Sequence, residues 1–142
     1  MEVLTIGRPC RPAPPGAGAF CGPATNPISS PTLIVMTVHL VVTTATPDRE
    51  SGEKLAGSAV AARLAGTAQV VGPVTSFFWH LGESGQGEEF NVSFKTTDAR
   101  YAELEAHIIE NHPWDKPEVT AVELVRGAAD YLAWAEESTR PR

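Results

Sequence analysis

The sequence predicts an α+β fold, a ferredoxin-like βαββαβ sandwich with an extra C-terminal helix, and three observations carry that prediction. Extended segments rich in β-branched or alternating residues recur four times along the chain. Helical periodicity separates the first from the second and the third from the fourth. The second and third are joined directly by a glycine-rich link. The order βαββαβ followed by a helix is the split βαβ arrangement of a ferredoxin-like sandwich.

Val38 to Thr44 is β-branched and apolar, as in a strand buried on one or both faces, and Ala45-Thr46-Pro47-Asp48 supplies a turn and a helix start. From Asp48 onward Leu55, Ala59, Ala62 and Ala65 recur every three to four residues, with Arg49, Glu50, Glu53, Lys54 and Arg63 on the other sides. So many alanines imply close packing of this helix on a sheet, and Gly66 is expected to end it. Thr67 to Leu81 is the second strand, bent or bulged at Gly72-Pro73. Gly82-Glu83-Ser84-Gly85-Gln86-Gly87 is the expected hairpin loop. These glycines join strand to strand and present no helix N-terminus to a phosphate, so they make no dinucleotide fingerprint.

The third strand alternates cleanly, with Phe90, Val92 and Phe94 on one face and Glu89, Asn91, Ser93 and Lys95 on the other. Asp98 is expected to cap a second helix through about Asn111, where Pro113 helps stop it, with Tyr101, Leu104 and Ile108 as its buried stripe. Val119 to Val125 reads as the fourth strand. Ala128 to Glu137 is a short terminal helix that presents Tyr131, Leu132 and Trp134.

The 142 residues suit one domain, which is placed at residues 36–142. Seven of the twelve prolines fall before Met36, in a segment such as Pro12-Ala13-Pro14-Pro15 that holds neither helix nor sheet, so residues 1–35 are expected to be a disordered tail, with Met36 a candidate start. That tail lacks the basic end, continuous apolar stretch and cleavage site of a signal peptide. No apolar run approaches the roughly 20 residues of a membrane-spanning helix, so a soluble protein is expected, with no membrane partner. The net charge is −6; the tail carries Glu2, Arg8 and Arg11, or +1, which leaves −7 for the rest. Such an acidic domain repels phosphate backbones, which argues against nucleic acid as a partner. Cys10 and Cys21 both lie in the tail, too far apart for a CxxC zinc pair. A cysteine-free domain is compatible with the cytoplasm, the expected location.

Three signatures follow one another between Phe77 and Glu118: Phe77-Phe78-Trp79 before the hairpin, Glu89 leading to Lys95-Thr96-Thr97, and His112-Pro113-Trp114-Asp115-Lys116-Pro117-Glu118. With Gly127, Tyr131 and Trp134 downstream, they resemble the CutA family of divalent-cation tolerance proteins over roughly Val38 to Glu137. The resemblance implies a PII-like homotrimer whose long bent second and third strands join neighbouring subunits. A covering subunit would also suit the sheet face that helices leave bare.

The resemblance implies site residues position by position. Trp79 follows the paired aromatics, Glu89 precedes the Lys95-Thr96 pair, and His112-Pro113 with Pro117-Glu118 matches the family's His-Pro-aromatic-x-x-Pro-Glu run, Trp114 standing where tyrosine is usual. Trp79, Glu89, Lys95, Trp114 and Glu118 are therefore the candidate inter-subunit cleft. The plainer alternative makes both tryptophans buried packing residues and Glu89 with Lys95 a structural ion pair across subunits.

A divalent metal ion is the partner that the family name suggests, and His112 matches a histidine implicated there in copper binding. Thr43 and Thr67 stand where family members carry cysteines, so no thiolate remains in the domain, and only weak binding of copper(II) or zinc through His112 and carboxylates is expected. Glu103, His107 and Glu110 share a helix face that could chelate a metal or simply be solvated; His39 and His80 are expected to satisfy local hydrogen bonds. The serines lie in no nucleophile-elbow pattern and no Cys-His pair exists in the domain, so no enzyme is expected. The function implied is metal-ion tolerance. The alternatives are a PII-like trimer that binds a small anionic ligand through Lys95, and a structural scaffold.

Overall fold

A computed structural model describes residues 35–142. The expectations placed on the tail therefore fall outside the described residues, apart from Val35. The element order is β1 (His39–Thr46), α1 (Arg49–Ala61), β2 (Thr67–His80), β3 (Glu83–Thr97), α2 (Asp98–Asn111), β4 (Thr120–Glu123) and α3 (Ala129–Ser138). The strands form one antiparallel sheet in the order β2-β3-β1-β4, so the expected α+β fold is present.

Register decides the core. Leu40 opposite Thr96, Val42 opposite Phe94 and Thr44 opposite Val92 place one set of side chains on the face covered by α1 and α2. Leu55 and Ala59 from α1 meet Leu104 and Ile108 from α2 there, and Val42, Ala59, Val92, Phe94, Leu104 and Ile108 are fully buried. Each large side chain so buried contributes about 1.5–3 kcal/mol. The other face carries Val41, Thr43, Ser93 and Lys95, with Val71 and Val122 exposed.

Asp48 opens α1 by accepting from the Ser51 backbone N–H at 2.8 Å and from its hydroxyl at 3.0 Å. Gly66 does not end the helix as expected. Arg63 turns the chain at φ 59°, a left-handed conformation uncommon for a side-chain-bearing residue. Its guanidinium donates to the carbonyls of Ser138 at 3.0 Å and Glu137 at 2.6 Å, so α3 holds the turn.

Length mismatch shapes the other half of the molecule. The 13 residues of α1 span about 20 Å at 1.5 Å per residue. The 14 residues of β2 span about 46 Å at 3.3 Å per residue. No helix of this size can cover such a strand. The hairpin bends at Gly72-Pro73, where the register jumps from Val71 opposite Asn91 to Val74 opposite Glu89. Arg49 pins this bulge by lying 5.1 Å from the centre of the Phe90 ring and donating to the Gly72 carbonyl at 3.0 Å. Beyond it the strands project with Phe77 77 % and Trp79 75 % exposed.

The expected six-residue glycine loop is replaced by a two-residue turn, Leu81-Gly82, with φ of 51° and 84°. Two positive φ values in succession match the twist of a tight hairpin. The remaining glycines of that segment belong to β3. Gly85 lies opposite Phe78, and a Cβ there would stand 2.7 Å from the ring, so the strand has room for the aromatic because the side chain is missing.

The second helix also departs from expectation. Thr97 is its N-cap and makes no side-chain capping bond, while Asp98 is the first helical residue. Leu104 and Ile108 are buried, Tyr101 is half-buried, and Arg100 is buried at the N-terminal turn with Nη1 2.7 Å from Glu103. β4 keeps only four residues of the expected segment. α3 meets the sheet where His39 Nε2 lies 3.1 Å from the Leu132 carbonyl, and buries Ala135. Tyr131 and Trp134 stay at the surface, their rings 5.7 Å apart.

Three stability outcomes follow from this packing. Gly57 has open space around it, and Gly57→Ala should raise stability by roughly 0.5–1 kcal/mol through helix propensity. Gly52→Ala should lose that gain, because its Cβ would meet Thr46 Oγ1 at 3.0 Å and Val92 at 3.3 Å, both buried. Thr44 Oγ1 is buried without a hydrogen-bond partner. Thr44→Val should therefore stabilise by about 1 kcal/mol. Urea denaturation of the three variants checks the signs.

Candidate functional site

α2 stops at Asn111 because Pro113 drives the residue before it out of the helical region, and His112 is extended at φ −83°, ψ 141°. Its ring is then held at both nitrogens. Nε2 lies 2.8 Å from the Ala45 carbonyl, an acceptor only, so Nε2 carries the hydrogen and donates; Nδ1 accepts from the Trp114 backbone N–H at 3.1 Å. His112 thus ties the segment after α2 to the end of β1. Trp114 sits beside it, ring centres 5.3 Å apart.

The projecting hairpin faces this segment across an open groove of about 560 Å³. Phe78, Trp79, His80 and Glu89 line one side, and Trp114, Lys116 and Glu118 the other. Glu89 Oε2 accepts from the Ser76 hydroxyl at 2.7 Å, which orients the carboxylate. Among the described residues neither Glu89, Glu118 nor Lys116 joins an ion pair. The groove therefore combines two indoles, two unpaired carboxylates and one ammonium.

Of the residues expected to form a cleft, the groove gathers Trp79, Glu89, Trp114 and Glu118 and leaves out Lys95. Lys95 shares the strand face of Glu89 but lies six residues along β3, about 20 Å away. The two cannot pair within one chain. Within a single chain Trp79 and Trp114 are 75 % and 36 % exposed, so neither is packed inside its own subunit. Phe78, His80 and Lys116 were not foreseen in the site. Lys116 lies inside the His-Pro run, whereas His80 is the last residue of β2 before the hairpin turn.

The residues present do not fit a metal at His112, because a ligand needs a free ring lone pair and both nitrogens are engaged. Among the described residues no three His, Cys, Asp or Glu side chains are grouped to hold a metal ion. His39 bonds Leu132, His107 lies 2.8 Å from Ser58 Oγ, and Glu103 pairs with Arg100, so the helix face proposed for chelation is already occupied in part. Thr43 and Thr67 lie on the sheet face opposite α1 and α2. Among the described residues Lys54 and Tyr101 titrate above their usual values, raised by hydrogen bonds to Glu50 and Glu105, and both lie on helices away from the groove. Among the described residues no helix is long and apolar enough to cross a membrane.

Comparison with known proteins places this architecture. Protein CutA 1, chloroplastic, from Oryza sativa subsp. japonica is 34 % identical over 101 residues, a match covering 71 % of this chain and 57 % of the rice protein, little more than half its length. The divalent-cation tolerance protein CutA of Escherichia coli is 30 % identical over 104 residues, 73 % of this chain and 93 % of that protein. The solved structure described as the periplasmic divalent cation tolerance protein CutA from Archaeoglobus fulgidus superposes with a TM-score of 0.70 at 26 % identity, over 72 % of this chain and 99 % of that one. The expected cytoplasmic location does not stand: the rice relative is named chloroplastic and the Archaeoglobus protein periplasmic, so kinship fixes no compartment. Residues 40–138 match the family model described as CutA1 divalent ion tolerance protein, and the chain belongs to that family.

Proposed function

We propose that this chain serves divalent-cation tolerance as a non-enzymatic homotrimer whose working surface is the groove between the hairpin and the segment 112–118. One observation carries this reading. Trp79 and Glu89 from the hairpin meet Trp114 and Glu118 from a separate segment across one space, while His112 is consumed in holding that space open. Concave sites of this size with a few polar groups are where small ligands bind. The exposed apolar hairpin supports a multi-subunit protein, since large exposed apolar patches mark interaction surfaces.

Copper(II) or zinc held by His112 finds no support in this geometry, and tolerance is attributed to binding at the groove. The PII-like reading with an anionic ligand is also less well supported. Lys95 lies elsewhere, and Lys116 stands alone against Glu89 and Glu118.

Calorimetric titration of copper(II) and of zinc into the wild-type chain and His112→Ala should give the same isotherm. Saturable binding near one metal per subunit that disappears in the variant would contradict the reading. His112→Ala should instead lower stability by about 1 kcal/mol, the typical net worth of the hydrogen bonds its ring makes to the Ala45 carbonyl and the Trp114 N–H. In cells lacking their own CutA protein, the chain should restore growth at a copper concentration that stops the parent. Combining Glu89→Gln with Glu118→Gln should abolish that rescue while the variant stays folded and assembled; undiminished rescue would sink the assignment of the groove.

A further inference from the structure

The composition of the groove says which ligand chemistry it favours, an inference that rests on the groove being the working surface. We propose that it binds a small organic cation, a primary ammonium or guanidinium head on an aliphatic stem.

Glu89 and Glu118 bring two negative charges against the single positive charge of Lys116, and none of the three is in an ion pair. Glu89 is oriented through Oε2 by Ser76, which leaves Oε1 without a protein partner among the described residues. A carboxylate held in this way accepts charge-assisted hydrogen bonds from an ammonium or guanidinium. Trp79 and Trp114 add indole faces, whose quadrupoles attract cations and to which an anion gains nothing comparable. The same rings, with Phe78, offer apolar surface to methylene groups. An opening of about 560 Å³ is ample for a five-carbon stem and head, and falls within the range of small-ligand sites.

A free metal ion suits this lining poorly. His80 lines the groove beside Glu89 and Glu118, but among the described residues no three such side chains are grouped closely enough to hold a metal ion. A nucleotide would bring several negative charges to a surface where carboxylates outnumber the lysine.

The test uses three probes that share one stem and differ only in head charge: pentylamine, pentanol and pentanoate. Indole N–H signals of the full chain are followed by NMR, the surface Trp134 on α3 serving as the internal control. Pentylamine should shift the Trp79 and Trp114 signals saturably and leave Trp134 in place, while pentanol and pentanoate should not. Glu89→Gln keeps the shape and an acceptor for Ser76, and should weaken the amine about tenfold, as expected for losing one charged hydrogen-bond partner. Equal shifts from pentanoate or pentanol would overturn the cationic class. No shift from any probe would overturn it too. In either case the groove's part in tolerance is judged separately, by the copper-growth result for the Glu89 and Glu118 variants.

Discussion

A strand rises about twice as far per residue as a helix, and most of what is particular to this protein depends on that inequality. Two helices of 13 and 14 residues can roof only the first half of a hairpin built from strands of 14 and 15. The covered half is an ordinary core of valine, phenylalanine, leucine and isoleucine. The uncovered half is a two-stranded ribbon with no helix over it. Its shape is set by the short turn at Leu81-Gly82 and the fit of Phe78 over Gly85. The bulge at Gly72-Pro73, clamped by Arg49, marks the boundary between the two regimes.

The groove exists because a second constraint meets the first. Pro113 ends α2, extended backbone at His112 turns its imidazole toward β1, and the two hydrogen bonds of the ring fix where Trp114 begins. A histidine that the family resemblance nominates as a metal ligand thereby becomes a bracket. On the function proposed here, the working surface is what the bracket presents, an aromatic and acidic face opposite the hairpin. The missing thiolates at Thr43 and Thr67 agree with that shift, since a chain without soft ligands holds soft metals poorly.

Much of the fold was legible because periodicity reports burial. The alternation of Val92 and Phe94, the stripe of Leu104 and Ile108, and the bend at Gly72-Pro73 are all where the residues put them. The misses have physical causes. Glycines at 85 and 87 read as a loop by composition, yet both are strand residues, and at Gly85 the missing side chain admits a cross-strand aromatic ring. Gly66 was the obvious helix terminator, but Arg63 adopts the left-handed turn because carbonyls 74 and 75 residues away accept its guanidinium. Arg100 is buried against any hydropathy rule. For the site, local runs found Trp79, Glu89, Trp114 and Glu118, but the separation of Lys95 follows from strand geometry, and the engagement of both His112 nitrogens depends on a carbonyl 67 residues away.

The exposed ribbon turns an intramolecular length mismatch into a statement about assembly. Phe77, Trp79 and Leu81 stand 75 % exposed or more, and Val71 and Val122 add apolar surface on the sheet face opposite α1 and α2. Water is a costly neighbour for so much apolar area, at about 25 cal/mol per Å². Multi-angle light scattering of the purified chain at micromolar concentration tests this most directly. With 15.1 kDa per chain, a mass three times that, about 45 kDa, is expected of a trimer. A stable 15.1 kDa species would contradict the account, because the hairpin would then be shown to need no partner.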